Sequence, residues 1–187
     1  MKKILLFTLI LTLPTVASAQ KSLNIESSNL KWTGEEITTK QHYGSLKFKS
    51  GSLTFENEAL VGGTFVVDMT TLKNKDLSGQ SKEYLEGHLK SDDFFSVEKY
   101  PEATLVVTKG TALENGGYNV QGDLTIKGKT HPAVFELSPE NGQWVALLTF
   151  DRAKYDVQFR SGSFFQNLGD KLIYDEIKLE ARLVFNN

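Results

Sequence analysis

The chain has 187 residues, of which 40% are hydrophobic and 24% charged, with a formal net charge of −2 and no cysteine. The missing cysteine excludes disulfide staples, thiol catalysis and cysteine-held zinc, and the slight excess of acid argues against nucleic acid or an anionic membrane surface as the main partner. The length suits one domain with a core of its own.

The N-terminus reads as a secretory leader. Lys2 and Lys3 precede the apolar run Ile4 to Leu13, then come Pro14 and the small-residue site Ala17-Ser18-Ala19. A basic end, a short apolar core and an Ala-x-Ala site are the three parts of a signal peptide, and the run is too short to span a bilayer. Residues 1–19 are therefore expected to be a signal peptide and 20–187 the mature domain. Cleavage removes two of the 21 basic residues and leaves 19 against 23 acidic ones, a net charge of −4. The mature chain is expected to be exported, water-soluble and without a transmembrane segment. The absence of cysteine also excludes a lipid-modified N-terminal cysteine.

Beyond the leader, apolar residues recur every second position. Leu30 and Trp32 begin the pattern, and Leu46, Phe48, Leu53, Phe55, Phe65, Val67 and Met69 continue it. Further sets follow at Leu105 and Val107, Tyr118 to Ile126, Ala133 to Leu137, Trp144 to Phe150 and Ile177 to Phe185. A period of two marks strands with one dry face and one wet face. Turn signals lie at 49–52, 61–63, 114–117, 127–129 and 140–142. They divide the chain into eight or nine strands spaced as hairpins are.

From about Asn74 to Lys99 the alternation stops, and Tyr84, Leu85, His88 and Leu89 fall at helical spacing. Ser91 is placed to cap a second short turn, and Pro101 prevents continuation. A second irregular stretch, Ser161 to Asp170, contains Phe164-Phe165. Aromatic residues in a loop-like segment need something apolar to cover. The reading is all-β with a short helical insert, an eight-stranded antiparallel β-barrel. Eight strands leave a lumen that side chains fill or that holds one small ligand. The same alternation would suit an outer-membrane barrel, but the helical interruption and the charged face Lys178, Glu180, Arg182 favour water on the outside.

No complete catalytic constellation is present. His42, His88 and His131 lie far apart, and the paired acids Glu35-Glu36 and Asp175-Glu176 point to opposite faces if they lie in strands. Seryl-nucleophile, phosphate-loop and dinucleotide signatures are absent. His88 and Asp92 are four apart and could share a helix face as an acid–base pair or metal ligands. The expectation is no catalytic residue, no metal and no cofactor.

Several blocks resemble the YceI-like family. They are Gly87-His88-Leu89-Lys90-Ser91-Asp92-Asp93-Phe94-Phe95, Glu98 to Thr104, Tyr118 to Thr130, Phe150-Asp151-Arg152, His42-Tyr43-Gly44 and Val67-Asp68-Met69. The resemblance runs in order through essentially the whole mature chain. After Asp151-Arg152 the chain reads Ala153-Lys154-Tyr155-Asp156-Val157, a departure from the family's acidic-aromatic-glycine run. The resemblance implies a lipocalin-like barrel in the periplasm holding a long amphiphilic lipid, a polyisoprenoid or related long-chain isoprenoid or acyl molecule. Inward-parity candidates for contact with it are Trp32, Phe48, Phe55, Phe65, Val67, Leu105, Val107, Val120, Leu124, Ile126, Phe150, Ile177 and Leu179. Phe164 and Phe165 are candidates for a lid, and His88, Asp92 and Arg152 for the mouth. A binding protein is the leading reading. The alternatives are an enzyme on a lipid-like substrate using His88 and Asp92, and a self-filled barrel acting through its surface. A homodimer is compatible with either.

Overall fold

The computed structural model describes residues 17–186. The expected leader lies outside the described residues except for Ala17–Ala19. In chain order the described elements are β1 (Ser18–Ser22), β2 (Asn29–Glu35), β3 (Gln41–Glu56), β4 (Ala59–Asn74), α1 (Gly79–Lys90), β5 (Glu102–Ala112), β6 (Tyr118–Ile126), β7 (Lys129–Glu140), β8 (Gln143–Asp151) and β9 (Glu176–Leu183). Every strand pairing is antiparallel. β3, β2, β9, β8, β7, β6, β5 and β4 follow one another around the wall, and β4 pairs with β3 to close it. The expected eight-stranded antiparallel barrel with one short helical insert is the architecture observed.

The ninth strand comes from the two longest. β3 and β4 have 16 residues each, or about 50 Å if fully extended. Neighbouring β2 is too short to cover β3. It pairs with the first part of β3, Leu30 opposite Leu46, while β1 pairs with the last part, Ser22 opposite Ser52 and Ser18 opposite Glu56. The two short strands therefore share one edge end to end. β1 begins two residues before the expected cleavage point, so cleavage after Ala19 would leave Gln20, Lys21 and Ser22 of it.

Two expected turns are not turns. The segments 49–52 and 61–63 lie inside β3 and β4. Their glycines mark close backbone approach rather than reversal: Gly51 lies opposite Phe65 and Gly63 opposite Leu53. The true hairpin tip is Asn57-Glu58, both with positive φ (47° and 67°). It has no glycine to announce it. The tips at Lys127-Gly128 (φ 53° and 72°) and Asn141-Gly142 (50° and 79°) are the tight hairpin type that the sequence signals.

Parity decides the faces. Along β9, Ile177, Ala181 and Leu183 are buried while Lys178 and Glu176 are exposed. Hydrophobic side chains point into the lumen and charges point out, the reverse of a barrel that crosses a bilayer with strands. No helix among the described residues is long and apolar enough to cross a membrane.

The helical insert is shorter than the irregular stretch. β4 runs to Asn74, α1 occupies Gly79–Lys90, and turns fill the interval to Pro101. Ser91 ends the helix instead of starting a new one. Its backbone is extended (ψ 172°), and both its N–H and its Oγ donate to the His88 carbonyl, at 3.1 and 2.8 Å. Asn74, fully buried, governs the turn from β4 into α1. Its N–H donates to Glu86 Oε1 (2.8 Å), its Nδ2 to Asp76 Oδ1 (2.6 Å) and the Tyr43 carbonyl (3.2 Å), and its Oδ1 accepts from Leu77 N–H (2.8 Å).

Gly44 sits between Trp32 on β2 and Asn74 on β4. A Cβ there would fall 1.8 Å from the Lys73 carbonyl oxygen and 2.7 Å from the Trp32 indole. The indole crosses this space to donate from Nε1 to that carbonyl at 3.3 Å. Gly44→Ala is predicted to destabilise the fold by about 3 kcal/mol, roughly 6–12 °C in Tm, since the obstructing atoms include backbone. Thermal unfolding checks this, and an unchanged Tm would contradict the close approach.

Candidate functional site

The lumen is not filled by its own side chains. It holds a cavity of about 680 Å3, within the range of roughly 300–1,000 Å3 typical of small-ligand sites. Small residues make the room. Ala146 on β8 and Ala181 on β9 lie directly opposite each other, and both line the cavity, as do Ala103 and Gly34. Around them Leu30, Leu46, Leu137 and Leu148 complete the apolar wall.

One end is shut and the other open. The inner lining ends in buried residues such as Leu53, Val107 and Val120. Below them three aromatic rings form a floor: Tyr118 lies 6.0 Å from Phe55 and 5.9 Å from Trp144 between centroids. At the other end the lining includes exposed residues, among them Lys40, Gln80, Ser81, Tyr84 and Arg160. The opening is framed by the β2–β3 turn, α1 and the long β8–β9 connection. Charged and amide groups of the lining (Glu35, Glu36, Lys40, Gln80 and Arg160) gather at this rim. The chamber is apolar inside and polar at its mouth.

Of the fifteen residues named from parity and loop composition, twelve line this cavity: Trp32, Phe48, Phe65, Val67, Leu105, Val107, Val120, Leu124, Ile126, Phe150, Ile177 and Leu179. Three do not. Phe55 follows a register shift at Thr54/Phe55 and belongs to the aromatic floor, with the Lys21 ammonium 5.5 Å from its ring centre. Phe164 and Phe165 are 43% and 48% exposed and are absent from the lining. They stand outside the lining because the backbone N–H groups of both turn back onto the Ser161 carbonyl.

The α1 face picked out by its spacing does reach the cavity: Tyr84, Leu85, His88 and Leu89 all line it. Phe94, Phe95 and Phe159 also line it, without standing in any strand pattern. The first two lay in the block that carries the family resemblance. Phe159 had no local signal, because it reaches the lumen from an irregular connection.

The mouth candidates separate. His88 packs edge-on against Phe159 (4.3 Å) and Phe94 (5.8 Å), and its Nε2 is buried without a hydrogen-bond partner. Burial pulls its pKa below the ordinary 6.5, with Asp93 opposing and Arg160 adding to the effect. The ring is therefore neutral at neutral pH. Asp92 is not its partner. The helix ends at Lys90, so the i,i+4 register is broken before Asp92, whose exposed carboxylate accepts from Lys99 Nζ at 2.8 Å. Among the described residues no cluster of three or more His, Asp or Glu side chains is arranged to hold a metal.

Arg152 is a structural anchor. Its side chain is fully buried. Nε donates to the Tyr174 carbonyl (3.3 Å), Nη1 to that of Val157 (3.1 Å) and Nη2 to that of Ile173 (3.1 Å), with Asp175 Oδ1 3.2 Å away. Asp175 Oδ2 in turn accepts from Ser161 and Ser163 Oγ, each at 2.8 Å. One guanidinium thus gathers both limbs of the β8–β9 connection beside the opening. Across the mouth, His42 Nδ1 donates to Asp76 Oδ2 at 2.7 Å and Tyr43 N–H to Asp76 Oδ1 at 2.9 Å.

This geometry has counterparts among known proteins. The family model for the YceI-like domain matches residues 22–185. The chain belongs to the YceI-like family. A UPF0312 protein of Photorhabdus laumondii is 33% identical over 132 residues, covering 69% of this chain and 66% of that protein. One of Staphylococcus epidermidis is 34% identical over 112 residues, covering 54% and 61%. The chain thus spans less than two thirds of the length of either relative. Among solved structures, Burkholderia cenocepacia BcnA superposes with a TM-score of 0.66 at 18% identity, covering 86% of this chain and 98% of that one. A polyisoprenoid-binding domain from Saccharophagus degradans superposes at 0.56 and 15% identity, covering 92% and 99%. At these identities the likeness is one of fold.

The rim makes a pH dependence. Burial raises the Asp76 pKa, but Tyr43 N–H, His42 and Asn74 together bring it below the ordinary 3.8. Glu86 is likewise raised by burial and brought below 4.5 by Asn74 N–H and the ammonium groups of Lys73 and Lys82. Both carboxyls bind their protons more weakly in the folded state. Their stabilisation is fully present above those ordinary values and is lost as pH falls through the depressed ones. Melting temperature is predicted to drop between about pH 5 and pH 2, and Asp76→Asn should flatten that drop while lowering Tm at neutral pH. Parallel profiles for variant and parent would rule out this carboxylate as a source of acid sensitivity.

Proposed function

We propose that this protein is an exported carrier that encloses the chain of a long amphiphilic lipid, a polyisoprenoid or similar isoprenoid or acyl molecule, in its barrel lumen. The carrying observation is the chamber itself: about 680 Å3, apolar along its length, floored by aromatic rings and polar only where it opens. A one-ended dry tunnel suits a ligand with an apolar tail and a polar head. Each buried methylene contributes roughly 0.8 kcal/mol, so a modest tail offsets the ordering cost of binding. The name of the Saccharophagus domain supports the same class of ligand.

The twelve lining residues from Trp32 to Leu179 are the proposed tail contacts. Tail length is then set by the depth to the floor, and head-group choice by the rim. The leader-like N-terminus supports export to the periplasm, with Gln20 as the first mature residue.

Native mass spectrometry of the chain exported by a bacterial host tests the reading. A stoichiometric adduct that extracts into organic solvent as a long isoprenoid or acyl lipid is expected. Ala146→Phe places a ring low in the lumen, one step above the floor residue Trp144 and opposite Ala181. It is predicted to abolish the adduct or exchange it for a shorter tail, with affinity for the original lipid lowered at least about tenfold. A clean mass for the parent protein with no uptake from offered lipids would defeat the carrier reading.

A further inference from the structure

Five large apolar side chains stand exposed around the opening: Ile37 (41%), Tyr84 (78%), Phe164 (43%), Phe165 (48%) and Tyr174 (43%). They come from all three connections that frame it. Ile37 follows the rim residue Glu36, and its N–H bonds the Leu172 carbonyl at 3.0 Å. Tyr174 follows the lining residue Ile173, and its N–H bonds the Glu35 carbonyl at 2.9 Å. Phe164 and Phe165 turn back on Ser161, which forms a parallel bridge with Ile173. Tyr84 projects from α1. On the outer wall, exposed Val134 and Leu147 stand among the polar cross-strand partners Gln121, Glu136 and Glu180.

We infer that this collar docks the open end of the barrel onto the surface of a lipid bilayer. The cavity that would receive an apolar chain opens within the collar. A chain passing through water would expose every methylene, whereas a chain passing from bilayer to lumen under a seated collar exposes few. Aromatic side chains with apolar bodies are the residues that settle at a membrane interface. The charges between them are of both signs, Lys40, Arg160 and Lys171 against Glu36, Glu83 and Asp170. With the mature chain's net charge of −4, attachment rests on apolar insertion and not on attraction to anionic lipids. A bilayer is favoured over a second copy of the chain because the collar encircles an opening that must remain passable.

The carrier reading supplies the purpose of this surface but not its geometry, and the two are tested apart. Full mature chain is mixed with phosphatidylcholine vesicles and sedimented, while bound lipid is followed separately by native mass spectrometry. The parent protein is expected to sediment with the vesicles at low and at high salt. Phe164→Ser/Phe165→Ser, both outside the cavity lining, should lower that partition at least about tenfold with folding and co-purified lipid unchanged. Ile37→Ser should lower it less, and Leu147→Ser on the outer wall should not lower it. Absence of vesicle binding by the parent, equal loss in Leu147→Ser, or unchanged binding in the double variant each overturns the docking surface. So does a parent dimer in solution that the double variant converts to monomer, which would assign the collar to a second copy. A parent that binds vesicles without retaining lipid would leave docking standing and remove the carrier.

Discussion

A hollow barrel must keep its open end from collapsing, and here that constraint falls on one buried cation. Arg152 leaves β8 and enters the long connection, where its guanidinium meets three carbonyls and the Asp175 carboxylate. Burying an unpaired guanidinium would cost several kcal/mol, so the chain around it is held to the geometry that satisfies its donors. That geometry fixes Val157, Ile173 and Tyr174 together, and with them the rim residues Phe159 and Arg160. On the opposite side Asn74 has the same office, tying the start of α1 to β3 and to the helix carboxylate Glu86. Between these two polar anchors the mouth stands open.

The wall itself follows from arithmetic of shape. Eight antiparallel strands enclose a lumen of a given width, and the chain fills it unevenly. At the floor it supplies Phe55, Tyr118 and Trp144. Just above the floor it supplies Ala146 opposite Ala181, where large residues would have met. Well-packed interiors leave few voids larger than a water molecule, so a chamber of this volume is a feature of composition and not a packing fault. Its apolar lining favours an apolar guest, and its polar rim admits a guest with one wet end.

How legible this was depended on which physical rule governed each residue. Period-two alternation placed twelve side chains on the cavity wall because parity in a paired strand is unforgiving. It misplaced Phe55, since a register shift and a shared edge near the end of β3 are set by neighbours and not by local pattern. Glycine misled at Gly51 and Gly62-Gly63 for the same reason. In isolation a glycine signals reversal or close approach equally well, and only the partner strand decides. The helical spacing of Tyr84, Leu85, His88 and Leu89 correctly marked one face, but extending it to Asp92 ignored the end of the helix at Lys90. Phe164-Phe165 announced an apolar task without saying what was to be covered. Phe159 and Arg152's carbonyl partners lie in irregular chain, where no periodicity exists to read.

The strand order also dictates when the container comes into being. Most neighbouring strands are consecutive in the chain and can pair as local hairpins, but β2 meets β9, Asn29 opposite Arg182, across nearly the whole described length. Nearby, Leu23 bridges Phe185 and Ser28 bonds Val184. Until that seam forms, the molecule is a curled sheet with two bare edges and an uncovered apolar face. Long-range pairing of this kind is slow. The interval before closure is thus the period in which the unpaired edges are most liable to find another chain.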